Sequence, residues 1–190
     1  MVNKQKRGNK KMNNHKQKFE EIVNPLLDRF VSVKIPSEKM ERIEDFIIEV
    51  IEEKKKEKLH QLNGSNEEKR WRTGLTGEAA VEEYLGINII DWTTGVSKKY
   101  SRPDIKGLGI GVKNSQWGNF PLISKVNTYP QIICIQTGYD EILIGGVASV
   151  DVLNTYQDDE LVLDWRARYY ARKTGFYGFE YLEPIDTLKI

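Results

Sequence analysis

The order of apolar patterns between residues 73 and 149 constrains the fold of this chain more than any other feature. Residues 73–86 read as a helix, with the small residues Gly74, Gly77, Ala79 and Ala80 available to lie close to a sheet and Gly86 placed to close it. Strand-like pieces follow at 87–92, 103–105, 108–114, 131–137 and 141–149. Turn signals separate them: Thr94-Gly95, Lys106-Gly107 and Gly138-Tyr139-Asp140. A short helix near 150–156 and a strand near 161–165 are expected next, before an aromatic and basic tail. A helix, several strands, a crossover and more strands predict an α/β domain built on a mixed β-sheet flanked by helices.

The segment before residue 66 has a different texture. Residues 18–33 read as a short helix with Phe19, Ile22, Val23, Leu26 and Leu27 on one side and Pro25 bending it. Ser37 is a suitable N-cap for a second helix, on which Met40, Ile43, Phe46, Ile47, Val50 and Ile51 recur at helical spacing. Asn63-Gly64-Ser65-Asn66 marks a linker. The expected organisation is therefore a disordered basic arm at 1–17, a helical N-terminal extension at 18–62 and an α/β domain at 66–190. The apolar stripe of the second helix suits packing against the core, a partner protein or a second copy of the chain in a homodimer.

Composition removes several chemistries. The chain of 190 residues has two histidines, His15 and His60, and one cysteine, Cys134. Histidine-rich zinc sites, zinc fingers and histidine-based nucleases are thereby disfavoured. Cys134 lies within Ile132-Ile133-Cys134-Ile135, the setting of an inert buried thiol, and a lone cysteine points to an intracellular, cytoplasmic protein. No stretch approaches the ~18 apolar residues of a membrane span, and no apolar segment follows the N-terminal lysines as in a secretory signal. The formal net charge of +1 is unevenly distributed. Residues 1–18 hold seven basic side chains and no acid, and the rest holds 22 basic and 28 acidic ones, a balance of −6. Such an arm suits electrostatic tethering to nucleic acid, and equally a solvated tail. Usage rich in Lys, Asn and Ile fits an AT-rich bacterial or phage genome.

Chemistry must then run on carboxylates, lysines and a hard metal ion. The informative stretch is Arg102-Pro103-Asp104-Ile105-Lys106-Gly107-Leu108-Gly109-Ile110-Gly111-Val112-Lys113-Asn114-Ser115. On a hairpin of this size Asp104 and Lys113 face each other near the strand ends. A carboxylate can hold Mg²⁺, which acidifies a bound water and polarises a phosphate, while an ammonium offsets charge in the transition state. Each residue alone has a plainer explanation: Asp104 as a turn residue, Lys113 as a guard on an edge strand, Glu78 as an acid favoured by a helix N-terminus.

Asp104 and Lys113, preceded by Gly77-Glu78-Ala79-Ala80-Val81 on a helix, resemble the PD-(D/E)XK nuclease superfamily over roughly residues 73–150. That resemblance implies a restriction-endonuclease-like αβββαβ core and a DNA endonuclease dependent on Mg²⁺, with Mn²⁺ as the alternative ion. It implies that Asp104 binds the metal, that Lys113 is the lysine of the tripeptide and that Glu78 is the glutamate of the first core helix. The chain departs from the pattern at Gly111, where the second acid belongs. Three explanations stand. Glu78 or Glu82 supplies the missing ligand from the helix, which accounts best for the pattern. The site is degenerate, leaving a nucleic-acid-binding protein without cleavage. Or the register differs, with Asp91 the first acid and Asp104-Ile105-Lys106 the tripeptide.

Further contacts to DNA, or to RNA as an alternative substrate, are expected from Ser115 and Gln116 after the lysine, with Asn114 beside them, and from Lys125. Near the C-terminus Arg166, Arg168, Arg172 and Lys173 interleave with Trp165, Tyr169, Tyr170, Phe176, Tyr177 and Phe179. Arginines suit phosphates and rings suit unpaired bases, though the aromatics equally suit the core.

Overall fold

The computed structural model describes residues 14–56, 65–94 and 103–188. Residues 14–23 form helix α1, and a 3₁₀ turn, Asn24–Arg29, carries Pro25 in its opening positions. Strand β1 (Val31–Lys34) and two long helices, α2 (Ser37–Lys56) and α3 (Ser65–Leu85), follow. Then come β2 (Gly111–Gln116), β3 (Leu122–Ser124), β4 (Gln131–Gln136), β5 (Glu141–Ala148), α4 (Val150–Thr155), β6 (Gln157–Asp158), α5 (Trp165–Tyr169) and β7 (Lys173–Phe176).

The fold is α/β. A mixed sheet has the order β1-β5-β4-β2, and a small antiparallel sheet has the order β3-β7-β6. β4 pairs parallel with β2 and antiparallel with β5, and β1 pairs antiparallel with β5. All six residues of β4 are buried. Successive side chains of a strand point to opposite faces. Ile132 and Cys134 accordingly enter one apolar cluster with Ile43, Ile47, Leu75 and Ala79 of α2 and α3. Ile133 and Ile135 enter a second cluster with Phe19, Phe120, Leu153, Phe176 and Phe179. The sheet is thus covered on both sides, by α2 and α3 on one and by α1, α4 and the small sheet on the other.

Several expectations meet a different structure. Residues 31–33 are not helical. Val31-Ser32-Val33 alternates apolar and polar side chains, and Val31 and Val33 pair with Ile144 and Ile142, so the segment completes the sheet. Residues 14–17, expected within a disordered arm, are helical, and His15 sits buried with its ring edge-on to Phe120 at 5.2 Å. Burial, then Lys18, lowers the His15 pKa. Residues 1–13 of that arm, and 63–64 of the expected linker, lie outside the described residues, while Ser65 and Asn66 are not linker but already belong to α3. The stripe Met40, Ile43, Phe46, Ile47 and Val50 is buried within the chain itself, which removes it as a partner or dimer surface.

Residues 87–92 form no strand, because Glu82 takes the backbone N–H groups of Ile89 and Ile90 that a ladder would use. Nor do residues 161–165. Asp158 and Asp164 accept from the backbone N–H of Glu160 and Arg166, capping a 3₁₀ turn (Asp159–Leu161) and α5. Among the described residues no helix is long and apolar enough to cross a membrane.

Candidate active site

Helix α3 reaches β2 at one point, and that contact positions the site. A side chain at Gly77 would bring its Cβ within 2.5 Å of the Asn114 Cβ, so only glycine lets the helix backbone lie this close. Asn114 Nδ2 fixes the approach by donating to the Thr73 carbonyl (2.8 Å) and the Thr76 hydroxyl (3.2 Å). Asn114 is therefore turned into the fold and away from any phosphate. Glu78 follows Gly77 on α3, and Lys113 precedes Asn114 on β2, its side chain leaving the opposite face of this edge strand.

Asp104 arrives from the other side. Ile105 and Ile110 close a tight turn as an antiparallel bridge, with the Ile105 N–H donating to the Ile110 carbonyl at 2.9 Å. The turn sets Asp104 beside β2, where its Oδ2 accepts from the Val112 N–H at 2.6 Å. Glu78, Asp104 and Lys113 share one electrostatic field. The Glu78 carboxyl is pushed up to about 8, first by burial and then by the negative charge of Asp104, with Lys113 pulling the other way and Glu82 adding repulsion. Lys113 forms no direct ion pair among the described residues. Tyr129 borders the same space, its phenol raised by burial and by Asp104.

Gly111 lies on the Lys113 face of β2. The position of its missing Cβ is 2.9 Å from the Tyr129 ring and 3.1 Å from Gln131 Oε1. Gln131 is Gly111's partner on β4 and is 4% exposed. Its Oε1 is buried and has no hydrogen-bond partner among the described residues. A buried amide oxygen without a donor is costly, and such an atom calls for a cause. Here it occupies the space that an acid at position 111 would fill. Sequence reasoning missed Gln131. Its only signal was a polar residue at the head of a strand whose four central residues are apolar.

The other expected site residues divide. Glu82 is 5% exposed and already engaged: Oε1 accepts from the Ile89 and Ile90 N–H groups (2.5 and 2.7 Å), and Oε2 pairs with Lys39 Nζ at 3.0 Å. It is a structural carboxylate, and the expected metal ligands reduce to Glu78 and Asp104. Asp91 is exposed and accepts from Thr93, and Lys106 is exposed on the turn. Ser115 is buried, and Gln116 is partly buried on the opposite face. Lys125 pairs with Asp159 and Arg168 with Glu160, each at 2.5 Å. Lys173 is half-buried, its pKa lowered by burial and then by the charge of Lys113, and its Nζ donates to Ser124 Oγ at 3.4 Å.

Among the described residues no group of three or more His, Cys, Asp or Glu side chains is arranged to hold a metal ion. What the described residues offer is instead two carboxylates, Glu78 and Asp104, that repel each other. These are hard oxygen ligands of the kind Mg²⁺ takes, and the mutual repulsion of Glu78 and Asp104 is what a cation would relieve. The residues present therefore fit a divalent ion. Set against known protein families, curated proteins and solved structures, the chain has no match.

Proposed function

We propose that this chain is a Mg²⁺-dependent nuclease that hydrolyses phosphodiester bonds in DNA, on a restriction-endonuclease-like fold. The observation that carries the proposal is the electrostatic coupling of the Glu78 carboxyl to Asp104 and Lys113, with Asp104 held at the edge of β2 by the Val112 N–H. The topology is compatible with this reading: a helix, a tight antiparallel turn bearing the aspartate, a strand bearing the lysine and a crossover to a parallel strand. A departure is the crossover itself, 117–130, which carries only β3 and no helix.

A bound divalent ion would supply an acidified water and a polarised phosphate. Glu78 and Asp104 would hold it, and Gln131 would contribute a neutral oxygen. Lys113 would place a positive charge on the side where the phosphate gains negative charge. Lys173, adjacent to Lys113, would hold the flanking phosphate.

The test is nicking of supercoiled plasmid and cleavage of labelled oligonucleotides with Mg²⁺ or Mn²⁺. Cleavage is expected in the native chain and absent in Asp104→Ala and Lys113→Ala variants of unchanged thermal midpoint. A native chain that cuts neither DNA nor RNA, in either strand form, overturns the proposal. Gly111 and the small number of acids favour a second reading, a nucleic-acid-binding protein without cleavage. It predicts salt-sensitive binding that is indifferent to metal.

A further inference from the structure

The C-terminal aromatics fall into two sets. Phe176 and Phe179 are fully buried in the core. Trp165, Tyr169 and Tyr170, on and just after α5, are 56%, 70% and 78% exposed. The core does not need these three, and exposing so much flat apolar surface within six residues is unfavourable unless something covers it.

The surroundings define what would cover them. The Trp165 and Tyr170 rings stand 5.6 Å apart at an angle of 59°. The Arg166 guanidinium lies 5.7 Å from the Trp165 ring centre, and that of Arg168 lies 5.7 Å from the Tyr169 ring centre. A cleft of about 620 Å³ opens beside them, lined by Lys125, Arg168, Tyr169 and Arg172 among others. Asp159 and Glu160 neutralise Lys125 and Arg168. Arg166, Arg172 and Lys173 have no acidic partner among the described residues. The patch therefore keeps an excess of positive charge beside open aromatic faces.

We infer that Trp165, Tyr169 and Tyr170, with Arg166 and Arg172, bind unpaired nucleotides of a nucleic-acid strand, and that Lys173 continues this track to Lys113. The inference rests on the nucleic-acid reading above and adds the strand form. An aromatic face can stack only on a base whose own face is free, whereas a duplex presents phosphates and groove edges. Arginines beside the rings take the phosphates between stacked bases. A lipid surface would be met by a longer amphipathic helix, and α5 has five residues.

The experiment uses the full chain in EDTA, so that binding is read without cleavage. Fluorescence anisotropy is measured with a labelled 20-nucleotide oligothymidine and with a blunt 20-base-pair duplex. The native chain is expected to bind the single strand at least tenfold more tightly. Trp165→Ala should weaken single-strand binding about tenfold, Trp165→Phe much less, and the triple change of Trp165, Tyr169 and Tyr170 to Ala should abolish the preference. Duplex affinity and thermal midpoint should hardly move, since the three rings are exposed.

If the triple variant binds oligothymidine as the native chain does, the inference is overturned, while the nuclease proposal stands on its own cleavage test. Equal native affinity for both probes overturns it as well. If the native chain binds neither probe and cuts nothing, both fall. Ring-dependent binding to phosphatidylserine vesicles, without binding to oligothymidine, would replace the nucleotide with a lipid headgroup and overturn the inference.

Discussion

Glu78 and Glu82 lie one turn apart on α3 and are treated in opposite ways. Glu82 is surrounded by donors: two backbone N–H groups and the Lys39 ammonium, which also reaches Glu83. Glu67, near the start of the same helix, is likewise paired with Lys54 at 2.5 Å. Glu78 receives no such donor among the described residues. Burial and Asp104 push its carboxyl up to about 8, and across the sheet Gln131 leaves an amide oxygen equally unmatched. Where a buried acid serves the fold, this chain supplies the donors. Where two acids repel each other with no donor among the described residues, a cation is the partner that would relieve them.

The largest expected effect tests the structural half of that contrast. Glu82→Ala would strand two backbone N–H groups and a partly buried ammonium, and breaking a buried pair costs about 3–5 kcal/mol. Urea denaturation should show a loss of that order. A cost below about 1 kcal/mol would place Glu82 in the same class as Glu78 and remove the distinction.

The opposite sign is expected at Glu78. Its carboxyl is displaced upward on folding, from 4.5 to about 8, so the folded chain binds more protons than the unfolded one between those values. Stability contributed by the protonated form is present in acid and declines as pH rises through that window. One unit of displacement corresponds to about 1.4 kcal/mol, and partial solvent contact reduces what is realised. Glu78→Gln, which keeps the neutral shape, should be about 2 kcal/mol more stable than the native chain at pH 8 and about equal to it at pH 5, by denaturant titration. A variant less stable than the native chain at pH 8 would show that the Glu78 charge is already satisfied within the fold.

A cation should reverse this penalty. Binding Mg²⁺ requires Glu78 to lose its proton, so affinity should rise up to tenfold per pH unit between 6 and 8, about 1.4 kcal/mol per unit. Calorimetry in two buffers of different ionisation enthalpy counts the released proton. Glu78→Gln should abolish both the pH dependence and the release. Mg²⁺ affinity that is flat across this range in the native chain would remove Glu78 from the ligand set.

The sequence made one half of this contrast visible more readily than the other. Helix α3 up to Gly86, strands β2, β4 and β5 and helix α4 each carry their own local signal: small residues and a terminating glycine, runs of Ile and Val, or a Ser149 cap. Hairpin spacing singles out Asp104 and Lys113 as a pair, and Glu78 enters only through the resemblance. Strands β3, β6 and β7, of two to four residues, owe their existence to partners distant in sequence, and β1 was masked by the helical pattern preceding it. The structural duty of Glu82 depends on a loop folding back over α3. Gln131 becomes meaningful only through its register with Gly111, which no single-strand pattern contains.

The smallest expected effect is at Gln131, and there the two halves of the contrast are most cleanly separated. Gln131→Met keeps length and volume but replaces an amide whose oxygen has no donor. Removing an unsatisfied buried polar atom without leaving a hole is expected to be neutral or to stabilise by about 0.5–1 kcal/mol. If that oxygen faces a cation, Mg²⁺ affinity should fall about fivefold in the same variant, roughly 1 kcal/mol. A gain in stability coupled to a loss of ion binding is the reverse of what a structural hydrogen bond gives. Gly111→Glu, which would restore the acid of the resembling pattern, must displace the Tyr129 ring and the Gln131 amide from 2.9 and 3.1 Å. Alone it should cost about 1–3 kcal/mol, and Gln131→Ala in the same chain should recover part of that. If Gln131→Met destabilises the fold and leaves Mg²⁺ binding unchanged, the amide belongs with Glu82 as a structural group, and the site is left with two oxygen ligands from the chain.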